Sequence, residues 1–494
     1  MIENGYSSRH HVCLFHQVNS TAASQGISAE RSPEGHWSKN FAALSVHRRG
    51  DWAVTAKGFN RYVWDYESSR DEHVYGLFSS HGALQIANSE TLLEIHDVEN
   101  GWDWARIPGT TTIALGTPNI EDLNIGAGRF YNPRKLAGSL TFKGTMNLKN
   151  GLFGMKFLQP DYGLASSDWR QDINFRFQKS VFSFENLLVC LGSDISARRT
   201  SGRVVQTTLF QDKLGGSSFI TVDGAQKTSS SNYNHFTSTP SSSSYTTLTD
   251  AGQNFYYIPS PSKLILNVTV QSQSSKSDDG ESTTSGIYGT AWFQHNTSYE
   301  GYEYAVLIPT TSYHTSLSDL ATAQETPGSE VYKVLKNDTT GHVVQVVKSP
   351  KSWSALRSPI TGYVIFTGTD SLPPSGPVEE VSSGDCLIMA EETTEYIYLS
   401  ISYPDLNLDH TGTDPTNSLD VGEELLFSST SAGKSIRVTL RNQVTGTLAD
   451  HETQTHGSPD SYIPDLEISN NGKDVRFKNL QNGFSVEVKL RRMS

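Results

Sequence analysis

The chain has 494 residues, of which 36% are hydrophobic and 18% charged, enough for two or three domains and a large core and unlike a disordered polymer. Its formal net charge of −13 excludes a general nucleic-acid binder, whose affinity needs a basic surface. The start, MIENGYSSRHH, has no cationic segment leading into an apolar one, so no signal peptide is expected, and no apolar run is long enough to predict a membrane span.

After a polar N-terminal segment the expected elements are strands. WAVTAKGF (52–59), RYVWDY (61–66), LAGSLTFKGTMNL (136–148), GLFGMKFL (151–158), FRFQKSVFSFENLLVCLG (175–192), VVQTTLF (204–210) and SFITVDG (218–224) alternate or run apolar between Gly, Asn, Asp and Pro. The Asn-Gly pairs in DVENGWDW (97–104) and NLKNGLFG (147–154) predict tight turns, because such pairs tolerate positive φ. Two Ser-rich stretches, 226–250 and 271–286, read as flexible surface loops. One short helix is expected over 317–326, where Leu317, Leu320 and Ala321 share a face.

Pro, Gly and Ser cluster at 368–385, which sets an expected domain boundary at 370/371. Beyond it CLIMAEE, YIYLSISYPDL, ELLFSS, KSIRVTLRNQ, DVRFKNL and FSVEVKLRR predict a smaller antiparallel sandwich. So many strands before the boundary cannot share one twisted open sheet, so the expected fold class is all-β. It comprises a large antiparallel β-supersandwich (1–370) followed by a smaller antiparallel β-sandwich domain (371–494).

Cys13, Cys190 and Cys386 are far apart and form no metal-binding or disulfide framework; Cys190, in LLVCLG, reads as a buried core thiol. No His pair has zinc-ligand spacing, so neither a metal nor a cofactor is expected. Between Arg31 and Arg61 lie six cations and two acids, a basic island in an acidic chain. Such an island suits an anionic ligand at one place, or forms an ordinary solvated strand face.

The residues around that island carry a resemblance. EGHWSKNFAALSVHRRGDWAVTAKGFNRYVW, YGLFSSHGALQI (75–86) and GWDWARIPGTTT (101–112) resemble the β portion of chondroitinase ABC-type lyases of polysaccharide lyase family 8. VVQTTLFQ (204–211), GTAWFQHNTSYEGYEYAVLIPTT (289–311), VYKVLKND (331–338) and YPDLNL (403–408) continue it in order. The resemblance implies a galactose mutarotase-like supersandwich, a secreted protein and an anionic polysaccharide partner (a glycosaminoglycan), with neither nucleic acid nor membrane. It also implies β-elimination at uronic acid: a base takes the C5 proton, the C4–O4 bond breaks as C4=C5 forms, and an acid protonates O4.

In that family the catalytic His, Tyr and Arg belong to a helical toroid, and the β portion contributes a Glu. The matching residue here is Glu34, in SPEGHW, and no toroid is legible in these 494 residues. The chain therefore resembles the β half of a lyase, expected to be inactive without the helical part; a noncatalytic glycan-binding or structural paralogue is the alternative. Arg48, Asn60, Arg61, Trp102, Trp104 and Arg106 are the expected substrate-binding residues. Indoles stack on sugar rings and guanidinium pairs with carboxylate or sulfate. Structural roles compete: Trp102 and Trp104 as core anchors, Arg106 paired to Asp103 or Asp97, and His36, His47 and His81 as buried structural histidines.

Overall fold

A computed structural model describes residues 20–21, 24–26, 33–60, 62–63, 74–88, 95–114, 136–147, 150–159, 174–198, 202–237, 245–259, 264–277, 280–295, 301–310, 318–350, 352–368, 371–406, 409–410, 427–428, 433–445, 452–456 and 465–493. Met1–Glu34 forms one unit, in whose described part the Gln25 N–H donates to the Thr21 carbonyl at 3.1 Å. Gly35–Ser494 forms the other.

The larger unit is built from antiparallel sheets. The first holds β1 (Gly35–Lys39), β2 (Leu44–Arg49), β3 (Trp52–Lys57) and β4 (Ala83–Asn88) in chain order. The next two sheets interleave along the chain. Their strands are β5 (Thr111–Ile113), β6 (Ala137–Phe142), β7 (Asn150–Leu158), β8 (Arg176–Phe184), β9 (Leu187–Ser196), β10 (Val205–Lys213), β11 (Phe219–Val222), β12 (Ala225–Thr228), β13 (Tyr233–Thr237), β14 (Tyr245–Thr249), β15 (Phe255–Pro259), β16 (Ile265–Lys276), β17 (Thr283–His295) and β18 (Gly301–Leu307). Five strands run in the order β13-β16-β17-β10-β5 and nine in the order β12-β11-β14-β15-β18-β9-β8-β7-β6.

Helix α1 (Ser318–Glu325) buries Leu320 and Ala321, as its apolar spacing predicts. A seven-stranded sheet follows, containing β19 (Tyr332–Asp338), β20 (Gly341–Lys348) and β21 (Ala355–Ile365). After β22 (Val378–Val381) it continues with β23 (Cys386–Glu392) and β24 (Tyr396–Ser402). The chain ends with β25 (Asp409–His410), β26 (Phe427–Ser428), β27 (Lys434–Leu440), β28 (Glu452–His456), β29 (Asp465–Ser469), β30 (Asp474–Leu480) and β31 (Ser485–Arg491). Here β31 and β28 complete the seven-stranded sheet, β22-β27-β30-β29 form a four-stranded one, and β25 pairs with β26. The register β21–β23 (Ile365↔Cys386) carries hydrogen bonding across the Pro/Gly/Ser-rich segment 368–385.

Side-chain alternation sets the layers. Leu188 and Cys190 of β9 join the core under the first and five-stranded sheets, whereas Leu187, Val189 and Leu191 join the core facing the seven-stranded sheet. In β23, Leu387 and Met389 meet that same core, and Cys386, Ile388 and Ala390 face the C-terminal four-stranded sheet. A strand buried on both faces needs apolar residues throughout, so LLVCL and CLIMA run apolar without alternating. Cys190 and Cys386 are buried free thiols; Cys13 lies outside the described residues.

Three expectations need correction. The Ser-rich 271–286 stretch is a long hairpin in which β16 and β17 stay in register to Lys276↔Thr283, and 226–250 contributes β13 and β14. Ladder hydrogen bonds need only backbone, and Thr suits a pleated surface, so low complexity did not mean irregular structure. Asn150-Gly151 lies inside β7 rather than in a turn, and the positive φ falls at Gly144 and Asn147. Gly151 serves close packing instead, because a Cβ there would overlap the His36 imidazole. Of RYVWDY, only Tyr62 and Val63 are described, and they form a bend.

Gly151→Ala is accordingly expected to cost about 1–3 kcal/mol of stability. In a double-mutant cycle with His36→Ala, the added methyl should occupy part of the vacated imidazole space. The costs should then fall short of additive by at least about 0.5 kcal/mol. Strict additivity in denaturant titrations would refute the packing role of this glycine.

Candidate functional site

The Gly50-Asp51 hairpin and the pairing of four short strands give the first sheet a fixed register, and that register separates two faces. One row across the outer face runs Lys39, Leu44, Lys57, Ala83; the next Trp37, Val46, Thr55, Gln85; the third Gly35, Arg48, Ala53, Ala87. Trp37, Arg48 and Lys57 are half-buried and Lys39 is exposed. This face therefore presents one indole and three cations and carries no acid.

The inner face is the structural counterpart. His36, His47, Arg49 and Trp52 are buried there, with the imidazoles 5.6 Å apart and His47 5.3 Å from the Trp52 ring. His47 Nε2 donates to the Glu185 carbonyl, so that nitrogen carries a proton. Thr141 Oγ1 donates to the His36 carbonyl at 3.1 Å, tying β1 to β6. Burial, helped by the neighbouring Arg49 charge, lowers His36 to about 3 and His47 well below its ordinary value. Both rings are neutral, inward and structural. His81 is also fully buried, 4.4 Å from Phe157.

The expected site residues fall in different places. Glu34 is exposed at the end of the N-terminal unit. Arg48 lies on the outer face opposite Gly35, the residue after Glu34 in sequence. Asn60 is buried: its Oδ1 accepts the Tyr62 and Val63 N–H groups at 2.8 and 3.0 Å, and its Nδ2 donates to the Ala137 carbonyl at 3.4 Å. Its carboxamide is thus turned to the chain's own backbone. Arg61 lies outside the described residues.

Trp102 and Trp104 are 4% and 6% exposed. Trp104 stacks on Tyr75 at 5.8 Å and donates Nε1–H to the Lys276 carbonyl at 3.0 Å, while Trp102 meets Tyr288 edge-on at 6.4 Å. Both indoles pack inward and anchor the turn. Gln211 fastens it further, accepting the Asp103 N–H at 2.8 Å and donating to the carbonyls of Asp103 and Arg106. Arg106 remains half-buried above the Trp292 ring, 4.1 Å from its centroid, and pairs with Asp103 at 2.8 Å. Its charge is thus partly met within the turn. Arg48 and Arg106 belong to separate surfaces, one on the first sheet and one on a turn docked against β10 and β17.

Trp37 and Trp292 are the neighbours that residue-by-residue reading missed. The alternation in WSK, LSVHRR and WAVTAK, hinged at RRGDW, is the signal that places Trp37, Lys39, Arg48 and Lys57 on one side. Among the described residues, no group of three or more His, Cys, Asp or Glu side chains is arranged to hold a metal ion. No helix there is long and apolar enough to cross a membrane.

Comparison with known proteins agrees with this architecture. Residues 37–319 match the family model described as polysaccharide lyase family 8, super-sandwich domain. A chondroitin sulfate ABC exolyase of Bacteroides thetaiotaomicron is 27% identical over 401 residues, 78% of this chain and 34% of the relative. A chondroitin sulfate ABC endolyase of Proteus vulgaris is 28% identical over 396 residues, 79% of this chain and 36% of the relative. The chain thus spans about a third of the length of these relatives. Among solved structures, a Paenibacillus xanthan lyase superposes with a TM-score of 0.67 at 17% identity, covering 97% of this chain and 40% of that one. The Streptomyces coelicolor A3 chondroitin AC lyase gives 0.63 at 15%, covering 94% and 50%. These likenesses show the fold, and the family match over more than half of the residues shows that the chain belongs to polysaccharide lyase family 8.

Proposed function

We propose that this chain is the β half of a glycosaminoglycan lyase that acts on chondroitin or dermatan sulfate and hyaluronan by β-elimination at uronic acid. The observation that carries the reading is the acid-free outer face of the first sheet, where Arg48, Lys39 and Lys57 share one side with Trp37. A polyanion of sugar rings needs cations for its carboxylates and sulfates and a flat apolar surface for its rings, and this face offers both. The curated relatives, named as chondroitin sulfate lyases, support the same ligand class.

In this reading Glu34 lines the reacting end, orienting a cation or sharing a proton with groups of the helical portion. Arg48 meets the substrate carboxylate, whose negative charge grows as C5 loses its proton. Arg106 supplies a weaker outlying contact, and Asn60, Trp102 and Trp104 hold the turns in place. His36 and His47 are buried and neutral and take no part in proton transfer. Elimination therefore depends on the helical portion. That same absence of an available histidine on the first sheet favours the second reading, a glycan-binding paralogue without turnover.

Purified residues 1–494 are expected to bind chondroitin sulfate and to release no unsaturated uronate, followed by its ultraviolet absorbance. Turnover that Glu34→Gln abolishes would overturn the dependence on a helical portion. Arg48→Ala should weaken retention on immobilised chondroitin sulfate by about fivefold to tenfold at low salt, with the gap narrowing as salt rises. Arg106→Ala should act less, because Asp103 already meets its charge. Unchanged retention in the double variant would refute the cationic face.

A further inference from the structure

The turn between β1 and β2 holds a phenylalanine out into water. Phe41 is 59% exposed, yet every residue around it is pinned. Asn40 is buried; its Nδ2 donates to the Ser139 carbonyl at 2.9 Å and to the Gly483 carbonyl, and its Oδ1 accepts the Ser139 N–H at 2.6 Å. Ala43 adopts φ 47°, a left-handed conformation that costs a non-glycine residue about 1 kcal/mol. Its N–H donates to the Asn40 carbonyl at 3.1 Å, and its carbonyl accepts the Gly58 N–H at 2.9 Å. Lys57 Nζ donates to the Ala42 carbonyl at 2.8 Å. Strain and buried hydrogen bonds thus fix the turn that carries an aromatic ring contributing little to any core, and a fixed backbone lowers the ordering cost of a contact.

Beside the ring lies a cleft of about 310 Å³. Ser38, Lys39 and Phe41 form one wall, and Asn482, Gly483 and Phe484, from the turn before β31, form the other. We propose that this cleft is a second saccharide subsite, in which Phe41 stacks on a sugar ring while Lys39 meets its carboxylate or sulfate. The proposal rests on the reading of the ligand as an anionic polysaccharide. Lys39 is shared between the cleft and the outer face, so the cleft adjoins the side of the sheet that carries Arg48 and Trp37. From Gly35 to Lys39 the strand advances ~13 Å, four residue steps. A disaccharide on Arg48 falls short of Phe41, whereas a longer chain reaches both. A protein partner is the other occupant such a ring would suit, but the run of cations without a facing acid favours a polyanion.

The test compares a chondroitin sulfate disaccharide with long chondroitin sulfate chains, by calorimetry on residues 1–494. Phe41→Ala should weaken long-chain binding about fivefold to tenfold and change disaccharide binding less than about twofold. Phe41 is exposed, so its variant should melt with the wild type, which separates lost contact from lost fold. Unchanged long-chain binding in Phe41→Ala overturns the subsite, while continued sensitivity to Arg48→Ala leaves the primary reading standing. Equal losses for both ligands overturn it too, by placing Phe41 within the primary site. If the wild type binds neither ligand, the polysaccharide reading fails and the subsite fails with it.

Discussion

Phe182→Ala is expected to cost about 3–5 kcal/mol of stability, the largest loss among the substitutions considered. Phe182 is fully buried in β8, on the face of the nine-stranded sheet that meets the seven-stranded one. Leu152 from its own sheet shares that core with Val364, Leu387 and Met389 from the facing sheet. A Cβ at Gly362 would press on the Phe182 ring, so the two sheets approach as closely as glycine permits. Removing the ring leaves a cavity that two stiff sheets cannot close. The effect also bears on domain organisation. If 371–494 is an independent sandwich, calorimetry of Phe182→Ala should show two transitions, with the later one unmoved. If the β21–β23 ladder makes one cooperative body, a single transition should shift as a whole. The ladder and the shared core favour the single transition.

Some of this fold was legible in the sequence and some was not, for physical reasons that differ from strand to strand. The apolar runs of β8, β9 and β23 were readable because burial on both faces leaves no other composition open to them. The Ser-rich β16–β17 hairpin was not, since backbone pairing leaves no mark on side-chain hydropathy. Trp102 and Trp104 show a different limit. A Trp-rich turn can face a sugar or a core, and only the Tyr75 stack and the Lys276 carbonyl reveal which way each indole points. Glu34 was legible through family resemblance alone, because an exposed turn glutamate has no intrinsic signature. Trp37, Lys39 and Lys57 were within reach, since the hairpin at Gly50-Asp51 sets the register that collects them. Phe41 was beyond it. Its exposure depends on Asn40 reaching Ser139 and Gly483, and no local pattern announces contacts so distant in sequence.

Asp212→Asn is expected to stabilise the protein, increasingly so as pH rises. Asp212 and Asp250 are 2% and 4% exposed. Burial first, and the neighbouring carboxylate second, push Asp212 well above its ordinary range; burial raises Asp250 to about 6. Around them, Tyr256 donates its hydroxyl to Asp250 at 3.1 Å, Asn254 donates Nδ2–H to it at 2.8 Å, and His96 Nε2 lies 3.7 Å from Asp212. Burial lowers His96 to about 4, so it brings no positive charge to the pair at neutral pH. A carboxyl whose folded value is raised binds its proton more tightly in the native state. Its stabilising contribution is whole below about pH 4 and is lost as pH climbs through about 6. For Asp250 the rise amounts to about 3 kcal/mol lost between those limits. The neutral buried histidines act in the opposite sense, losing stability as pH falls, so the wild-type profile alone mixes both effects. The difference between Asp212→Asn and wild type isolates the pair. The carboxamide introduced by this substitution keeps an oxygen to accept the Ala251 N–H that Asp212 accepts at 2.8 Å. Denaturant titrations should show little difference at pH 4 and a gain that grows as pH rises toward 8. A difference that stays flat across that range would mean the pair's charge is compensated in the folded state.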